Sequence, residues 1–250
     1  MIPRPFFWLF PLLALIPAVT QAELVRVAVA ANFTDASRQL AERFQQDTGH
    51  QAIISYGSTG KLYAQILNGA PFDVFLAADE ARPSLLEQQG QAVSGSRFTY
   101  ARGKLVLWSR DANHFDNGPD YLAGGQFQRL AVANPRTAPY GLAAQQVLEG
   151  LDLWQPLQAR LVRGESIAQT FQFVATGNAE TGFVALAQVQ AWPQSPGSLW
   201  DIPQSLYDPI NQQAVLLSRG QDNPAAQAWL TFLASDAARA MIQQAGYDTD

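Results

Sequence analysis

Four short loops of the sequence combine neutral hydrogen-bond donors with a predicted helix start, and each loop follows a predicted strand. They span residues 30–34, 56–60, 134–141 and 164–167. Backbone N–H groups in the first turn of a helix lack intrahelical partners, and together with the helix dipole they favour an anion. Because Ser, Thr and Asn also cap ordinary helices, one such loop indicates little. Four of them in two matching halves of the chain predict an anion-binding site.

Two side chains in these loops are of particular interest. Asn32 is predicted to be the N-cap of the helix that follows the first strand. Tyr140 lies between Pro139 and Gly141 in a polar loop, where its phenol can donate a hydrogen bond to a ligand. Most other aromatic residues fall at apolar positions and are predicted to lie in the core.

The second loop also contains two patterns that are typical of enzymes. Ser58 and Lys61 have the S-x-x-K spacing of serine β-lactamases, in which a lysine helps to activate the serine. The companion Ser-Asp-Asn and Lys-Thr-Gly motifs are absent from the sequence. A phosphate-binding P-loop is disfavoured because Gly57 and Gly60 enclose two residues instead of four, and no Ser or Thr follows Lys61. A serine hydrolase stays a minor alternative, and Lys61 is predicted on the first helical turn with its ammonium group in solvent.

The composition excludes several classes of function. The 250 residues contain 16 Lys and Arg against 21 Asp and Glu, which gives a net charge of −5. A basic surface for nucleic acid is therefore not expected. The chain has no cysteine, which excludes disulfides, thiolate metal sites and cysteine nucleophiles. With His50 and His114 as the only histidines, a histidine-rich metal site or a Ser-His-Asp triad is hard to build.

Residues 1–22 are predicted to be a secretory signal peptide. Arg4 precedes an uncharged apolar run over residues 6–19, and the segment ends in the small residue Ala22. The alternative is a transmembrane anchor, but the run is shorter than the ~20 residues that a span requires, and two prolines interrupt it. We expect cleavage after Ala22 and export of the mature chain.

The mature chain alternates predicted strands and helices, which is typical of mostly parallel α/β sheets. Strands are predicted at residues 24–30, 52–56, 73–77, 105–108, 130–133, 161–162, 182–185 and 214–217. Helices are predicted at 33–48, 62–67, after Asp79, and at 141–151, 167–175 and 224–245, the last as one or two helices. The elements form two α/β halves of similar plan. Ligands bind beyond the carboxyl ends of parallel strands, where the four loops lie.

Several stretches resemble the periplasmic molybdate-binding proteins of ABC importers. They are residues 27–34 (VAVAANFT), 56–62 (YGSTGKL), 69–79 (GAPFDVFLAAD) and 130–135 (LAVANP), and the Ala-Ala-Asp at 77–79 is the most distinctive. The similarity covers essentially all of the mature chain. It implies an α/β fold of two Rossmann-like lobes, with mixed, mostly parallel sheets joined by two crossing strands. Residues 23–102 plus 213–250 would form lobe 1 and residues 103–212 lobe 2, with the ligand cleft between the lobes.

The resemblance also implies a set of oxyanion contacts, two from each half: Asn32, Thr59, Tyr140 and Ile167. Asn32 would give side-chain and backbone donors, Thr59 and Tyr140 their hydroxyls, and Ile167 its backbone N–H. Ala31 and Ser58 adjoin the site. In another branch of the family a tyrosine comes from the position of Ala185, and here Tyr140 would replace it.

The chemistry of these groups agrees with the expected ligand. Molybdate is a dianion that only accepts hydrogen bonds, so hydroxyls, an amide and backbone N–H groups satisfy it. The resemblance therefore implies a monomeric receptor that captures molybdate, and also tungstate, and delivers it to an ABC permease. It implies no cofactor, with molybdenum present only as the oxyanion, and no catalysis. Sulfate or another oxyanion remains the alternative ligand.

Overall fold

A computed structural model describes residues 22–194 and 197–249 of the chain, which form two mixed β-sheets with flanking helices. The strands are β1 (Leu24–Ala30), β2 (Gln51–Gly57), β3 (Val74–Leu76), β4 (Phe98–Gly103), β5 (Leu105–Ser109), β6 (Leu130–Ala133), β7 (Leu161–Gly164), β8 (Thr181–Ala185), β9 (Ser198–Asp201) and β10 (Ile210–Leu216). The helices are α1 (Thr34–Thr48), α2 (Thr59–Leu67), α3 (Ala81–Gln88), α4 (Gly118–Gly124), α5 (Pro139–Gly150), α6 (Ile167–Ala175), α7 (Leu186–Gln190), α8 (Pro224–Leu233) and α9 (Asp236–Gln244).

The predicted signal peptide lies, except for its last residue, outside the described residues. Within the described part of the chain, every helix is too short or too polar to cross a membrane.

The first sheet has the strand order β2-β1-β3-β10-β4. Strand β1 pairs in parallel with β2 and β3, whereas β10 runs antiparallel to both β3 and β4. The second sheet has the order β7-β6-β8-β5-β9, with parallel pairing of β6 to β7 and β8 and antiparallel pairing of β5 to β8 and β9. The predicted fold of two α/β lobes with mixed sheets is confirmed, with as many antiparallel as parallel pairs in each sheet.

The chain crosses between the sheets twice. Lys104 alone separates β4 of the first sheet from β5 of the second, and the chain returns between β9 and β10. We call the first sheet with α1–α3, α8 and α9 lobe 1, and the second sheet with α4–α7 lobe 2. The lobe limits at residues 102 and 212 that the resemblance implies stay a prediction.

Each lobe is held by its own apolar core. In lobe 1, β1 buries Val25 and Val27 against the apolar face of α1, on which Leu40 and Phe44 are fully buried. Helix α1 ends as predicted at Gly49, whose φ of 74° gives the left-handed cap that glycine adopts without strain. In lobe 2, β5, β6 and β8 are buried along their whole lengths, as strands covered on both faces by helices should be.

The prediction that Asn32 is a helix N-cap is wrong. Asn32 lies inside a short 3-10 turn, Ala31–Phe33, that joins β1 to α1, and Phe33 occupies the N-cap position of α1. The Thr34 hydroxyl donates to the Ala31 carbonyl (2.9 Å) and closes this turn. The turn buries the Asn32 side chain between the lobes instead of leaving it at the helix end.

Candidate functional site

The candidate site is a small cavity between the two lobes, at the carboxyl ends of β1, β2 and β6 and the first turns of α2, α5 and α6. Its volume of about 10 Å³ is close to the space that one water molecule needs. It is lined by Ala30, Ala31, Asn32, Ser58, Thr59, Ala78, Ala138, Pro139, Tyr140 and Ile167. The structure therefore brings together all six residues that the sequence proposed for the site, four from lobe 1 and two from lobe 2. Ala185, by contrast, lies buried at the end of β8 and is absent from this lining.

Thr59 contributes a hydroxyl group to the cavity lining. It is the first residue of α2 and is 1% exposed. Its Oγ1 accepts a hydrogen bond from the Ala78 N–H (3.1 Å), which engages one lone pair of the oxygen. The O–H group remains available as a donor because a hydroxyl carries one proton beside its lone pairs.

Ser58 precedes Thr59 and is also buried. Among the described residues its Oγ has no hydrogen-bond partner. A buried hydroxyl without a partner costs free energy unless a ligand or water binds it. Because Ser58 Oγ has no partner in the described part of the chain, it makes no hydrogen bond to Lys61. The structure therefore does not assemble the serine–lysine pair of a hydrolase.

Ile167 contributes backbone rather than side chain. It is the first residue of α6, and Ser166 caps that helix by accepting from the Gln169 N–H (3.2 Å). An N–H at the first helical position has no intrahelical acceptor. The Ile167 side chain is 4% exposed and packs in the lobe 2 core, which fixes the position of this N–H at the cavity.

Asn32 uses its side-chain amide inside the protein. Its Nδ2 donates to Gln212 Oε1 (2.8 Å) and lies 3.3 Å from Tyr247 Oη, and Tyr247 Oη donates to the Asn32 carbonyl (2.7 Å). Asn32 Oδ1 has no partner among the described residues. The donor that this residue leaves for a ligand is its backbone N–H, which at the start of the 3-10 turn lacks a helical partner.

Tyr140 reaches the cavity from the first turn of α5 and is 1% exposed. Its oxygen accepts from Gln212 Nε2 at 3.4 Å. Burial raises the pKa of Tyr140 well above its ordinary value, and the nearby Tyr247, Tyr100 and Tyr207 raise it further, whereas the hydrogen bond from Gln212 lowers it. Tyr140 is therefore a neutral phenol that keeps its proton and can donate it in a hydrogen bond.

Gln212 is the residue of this region that sequence reasoning missed. It lies in β10, is fully buried, and contacts Asn32 of lobe 1 and Tyr140 of lobe 2. The one signal in the sequence is a pair of glutamines, Gln212 and Gln213, inside a strand that is otherwise mainly apolar.

The lobes contact each other directly beside the cavity. The Gly60 N–H donates to the Thr137 carbonyl (2.8 Å), and Lys61 Nζ lies 2.8 Å from Glu165 Oε2. Lys61 is on the first turn of α2 as predicted, but its half-exposed ammonium group forms this ion pair instead of being surrounded by solvent alone. The cavity is therefore closed by contacts between the lobes.

The electrostatic character of the cavity comes from dipoles. Among the described residues that line it, none carries a charged side chain. In the same described part of the chain there is no group of three or more His, Cys, Asp or Glu residues that could hold a metal ion. The donors at the helix starts act in a buried site, where low dielectric strengthens their interaction with an anion.

Comparisons with known proteins identify the family of the chain. The family model of the bacterial extracellular solute-binding proteins matches residues 25–248. The molybdate-binding protein of Azotobacter vinelandii is 53% identical over 234 residues, 93% of each chain. That of Rhodobacter capsulatus is 46% identical over 226 residues, 90% of this chain and 88% of the relative. The solved structure of the Azotobacter vinelandii periplasmic molybdate-binding protein matches with a TM-score of 0.87 and 45% identity, covering 90% of this chain and 99% of that one. The chain therefore belongs to the bacterial extracellular solute-binding proteins, in the group of the periplasmic molybdate-binding proteins.

Proposed function

We propose that the protein is a periplasmic receptor that captures molybdate and tungstate and delivers them to an ABC permease. The extent of similarity to molybdate-binding relatives supports the ligand class. The observation that carries the proposal is the cavity itself, which is lined by buried hydroxyl and backbone donors from both lobes and by no charged side chain among the described residues.

The donor set suits a fully deprotonated tetrahedral dianion. Molybdate only accepts hydrogen bonds, and the Thr59 and Tyr140 hydroxyls each have a proton that no protein acceptor uses in the contacts above. We assign the remaining contacts to the backbone N–H groups of Asn32 and Ile167 and to Ser58 Oγ, with Ala31 next to them. Phosphate retains a proton near neutral pH and would need a carboxylate acceptor, which this lining does not offer.

Tungstate has the same charge and tetrahedral shape, so the same donors should bind it. Sulfate is a smaller tetrahedron of equal charge and cannot touch every donor of a cleft shaped for molybdate. Each donor that sulfate misses is left unpaired in a buried site, which costs about 1–3 kcal/mol. We therefore expect the receptor to select the larger oxyanions.

The proposal includes a monomer that performs no catalysis and binds no nucleic acid. The signal peptide is cleaved after Ala22, so that the N-terminus of the mature protein in the periplasm is Glu23. N-terminal sequencing of periplasmic material tests this assignment, and an intact Met1 in the inner membrane fraction would contradict it.

Calorimetric titration of residues 23–250 with molybdate, tungstate, sulfate and phosphate tests the ligand assignment. We expect tight binding with 1:1 stoichiometry for the first two anions, and sulfate binding weaker by several kcal/mol because of the unpaired donors. Tighter binding of sulfate or phosphate than of molybdate would contradict the proposal. A chromogenic acyl ester assay on the same sample tests the hydrolase alternative, and turnover that disappears in Ser58→Ala would favour it.

A further inference from the structure

Through its side chain, Gln212 contacts donors of both lobes, Asn32 of lobe 1 and Tyr140 of lobe 2. It lies in β10, the strand that returns the chain from lobe 2 to lobe 1. Its side chain is completely buried. A primary amide in such a place is costly unless its oxygen and its nitrogen both have partners, so its hydrogen bonds have to be explained.

The oxygen and the nitrogen of the Gln212 amide contact different partners. Its Oε1 accepts from Asn32 Nδ2 (2.8 Å) and from Tyr100 Oη (3.1 Å). With two donors on the oxygen, the amide nitrogen faces the opposite side, where Nε2 lies 3.4 Å from Tyr140 Oη. Gln212 is thus the donor to Tyr140, and the phenol proton of Tyr140 is left for a second acceptor.

Two backbone features allow the contact between Gln212 and Tyr140, a β-bulge in β4 and a glycine at position 103. Gln212 pairs with Ala101 and Gln213 with Thr99, so that Tyr100 is an extra residue in β4 at a β-bulge. On the other side, a Cβ at Gly103 would overlap Tyr140 Oη and lie 2.9 Å from Gln212 Nε2. Only glycine at this position allows the two side chains to meet.

We infer that Gln212 is a positioning residue for the oxyanion site, which directs the Tyr140 hydroxyl proton into the cavity and holds Asn32 in place. This inference rests on the proposed function. A donor on the Tyr140 oxygen polarises the phenol, and such a chain of hydrogen bonds strengthens cooperatively when the terminal acceptor is an anion. Gln212 itself does not line the cavity and acts through Tyr140 and Asn32.

The neighbouring Gln213 provides a matched control. It is also buried in β10, but its amide contacts Arg97, Glu80 and Thr99, away from the cavity. Methionine replaces glutamine with a similar volume and no hydrogen bonds. A role of Gln212 in packing alone predicts that Gln212→Met and Gln213→Met lower thermal stability to a similar degree and leave ligand affinity unchanged.

The experiment measures molybdate affinity by calorimetry for Gln212→Met, Tyr140→Phe and the double variant, with Gln213→Met as the control. We expect Gln212→Met to weaken binding about 10-fold, as the loss of one hydrogen bond does. In the Tyr140→Phe background the same substitution should cost less, because the hydroxyl that it positions is absent and only its contact with Asn32 remains to be lost. Gln213→Met should bind as the wild type does.

Tyr100→Phe gives a milder test if Gln212→Met folds poorly. It keeps the ring and removes one donor to Gln212 Oε1, so we expect about a 2- to 5-fold loss of affinity. Unchanged affinity in Gln212→Met, equal losses in Gln212→Met and Gln213→Met, or full additivity with Tyr140→Phe would each overturn the inference while the proposed function stands. A wild-type protein that binds no molybdate would overturn both.

Discussion

Thr59 and Tyr140 are oriented in the same way, although they belong to different lobes. Each oxygen accepts a hydrogen bond from a protein N–H group, that of Ala78 for Thr59 and that of Gln212 for Tyr140. With one lone pair engaged, each hydroxyl proton has to point elsewhere, and both residues line the same cavity. In the closed arrangement, these contacts leave both hydroxyl protons available to a ligand in the cavity.

Tyr140→Phe tests the contribution of the phenol. The variant keeps the ring and removes one charge-assisted hydrogen bond worth about 1.5–3 kcal/mol, so molybdate affinity should fall roughly 10- to 150-fold. The substitution should reduce the affinity for molybdate more than the affinity for sulfate, because sulfate is too small to touch every donor.

Tyr207→Phe is the control, because the Tyr207 hydroxyl accepts from the Leu105 N–H outside the cavity. Calorimetric titration of both variants with both anions measures the difference, and unchanged molybdate affinity in Tyr140→Phe would remove Tyr140 from the site.

The Thr59 hydroxyl is tested by a pair of substitutions. Thr59→Ser keeps the hydroxyl and should bind molybdate nearly as the wild type does. Thr59→Val keeps the volume but removes the donor, so affinity should fall about 10- to 150-fold. Thr59→Val also leaves the Ala78 N–H without its acceptor and should lower the free energy of unfolding by about 1–3 kcal/mol. If Thr59→Val bound molybdate as tightly as Thr59→Ser, the hydroxyl would not be a ligand contact.

The pH dependence of binding follows from the raised pKa of Tyr140. Because burial raises this pKa well above the ordinary 10.0, the phenol stays protonated and remains a donor from neutral pH to pH 10. Ionisation would remove the donor and place a negative charge against the anion. We therefore expect molybdate affinity to be nearly constant from pH 7 to pH 10 in calorimetric titrations at fixed ionic strength. A decline with a midpoint at or below pH 10 would show that Tyr140 titrates as an exposed tyrosine does.

At the scale of secondary-structure elements, the sequence predicts the strands and helices that have a strong hydrophobic pattern. Strand β1 and helix α6 have the predicted limits, because an apolar run and a 3.6-residue period persist along their lengths. Strand β4, Phe98–Gly103, was missed because it alternates with polar residues and contains Arg102. Helix α4 was missed because Gly118, Pro119 and a glycine pair at its end favour a loop in the sequence.

The residues of the site could be predicted only in part, because some of them are brought together by pairings that local sequence patterns do not contain. The loops at helix starts indicate where donors lie, and the resemblance selects residues such as Thr59 and Tyr140 among them. Gln212 could not be found in this way, since its role depends on a β-bulge that brings Tyr100 to it and on the crossing of β10 between lobes. Both features arise from pairings between residues far apart in the chain, which local patterns do not contain.

Helix α2 contacts lobe 2 through a glycine, and this contact can be tested separately from the ligand donors. A Cβ at Gly60 would lie 3.0 Å from Thr137 Cα and 3.1 Å from the Thr137 carbonyl oxygen. Gly60→Ala should improve the helix propensity of α2 by about 1 kcal/mol. It should nevertheless weaken molybdate binding about 5-fold or more. The added methyl group overpacks the contact with Thr137 and destabilises the closed arrangement by at least about 1 kcal/mol.

The control for Gly60→Ala is Gly124→Ala at the end of α4, where a Cβ meets no atom within 4 Å. Thermal unfolding without ligand and calorimetry with molybdate separate the two effects. Weaker binding without loss of stability in Gly60→Ala supports closure at this contact. If Gly60→Ala binds molybdate as tightly as Gly124→Ala does, close approach of α2 to Thr137 is not needed in the bound state.

At the scale of the whole molecule, the two lobes must move relative to each other for the site to work. The cavity of about 10 Å³ has space for about one water molecule, and all of its lining residues except Pro139 are buried. Entry of the anion therefore requires the contacts at Gly60 and Lys61 to separate. Such motion is possible because, among residues 22–194 and 197–249, the chain joins the lobes through two crossings, at Lys104 and between β9 and β10.

Ligand should therefore compact the protein in solution by hinge closure, since donors from one lobe alone supply only part of the site. Small-angle X-ray scattering of the mature chain should give a smaller radius of gyration at saturating molybdate than without ligand. Sulfate at the same concentration should compact it less, because it binds the donors of both lobes less well. Gly60→Ala should contract less than the wild type at saturation, because the added methyl group holds α2 away from Thr137. An equal radius of gyration with and without saturating molybdate would show that the ligand does not draw the lobes together. This result would contradict the assignment of the binding site to the cavity between the lobes.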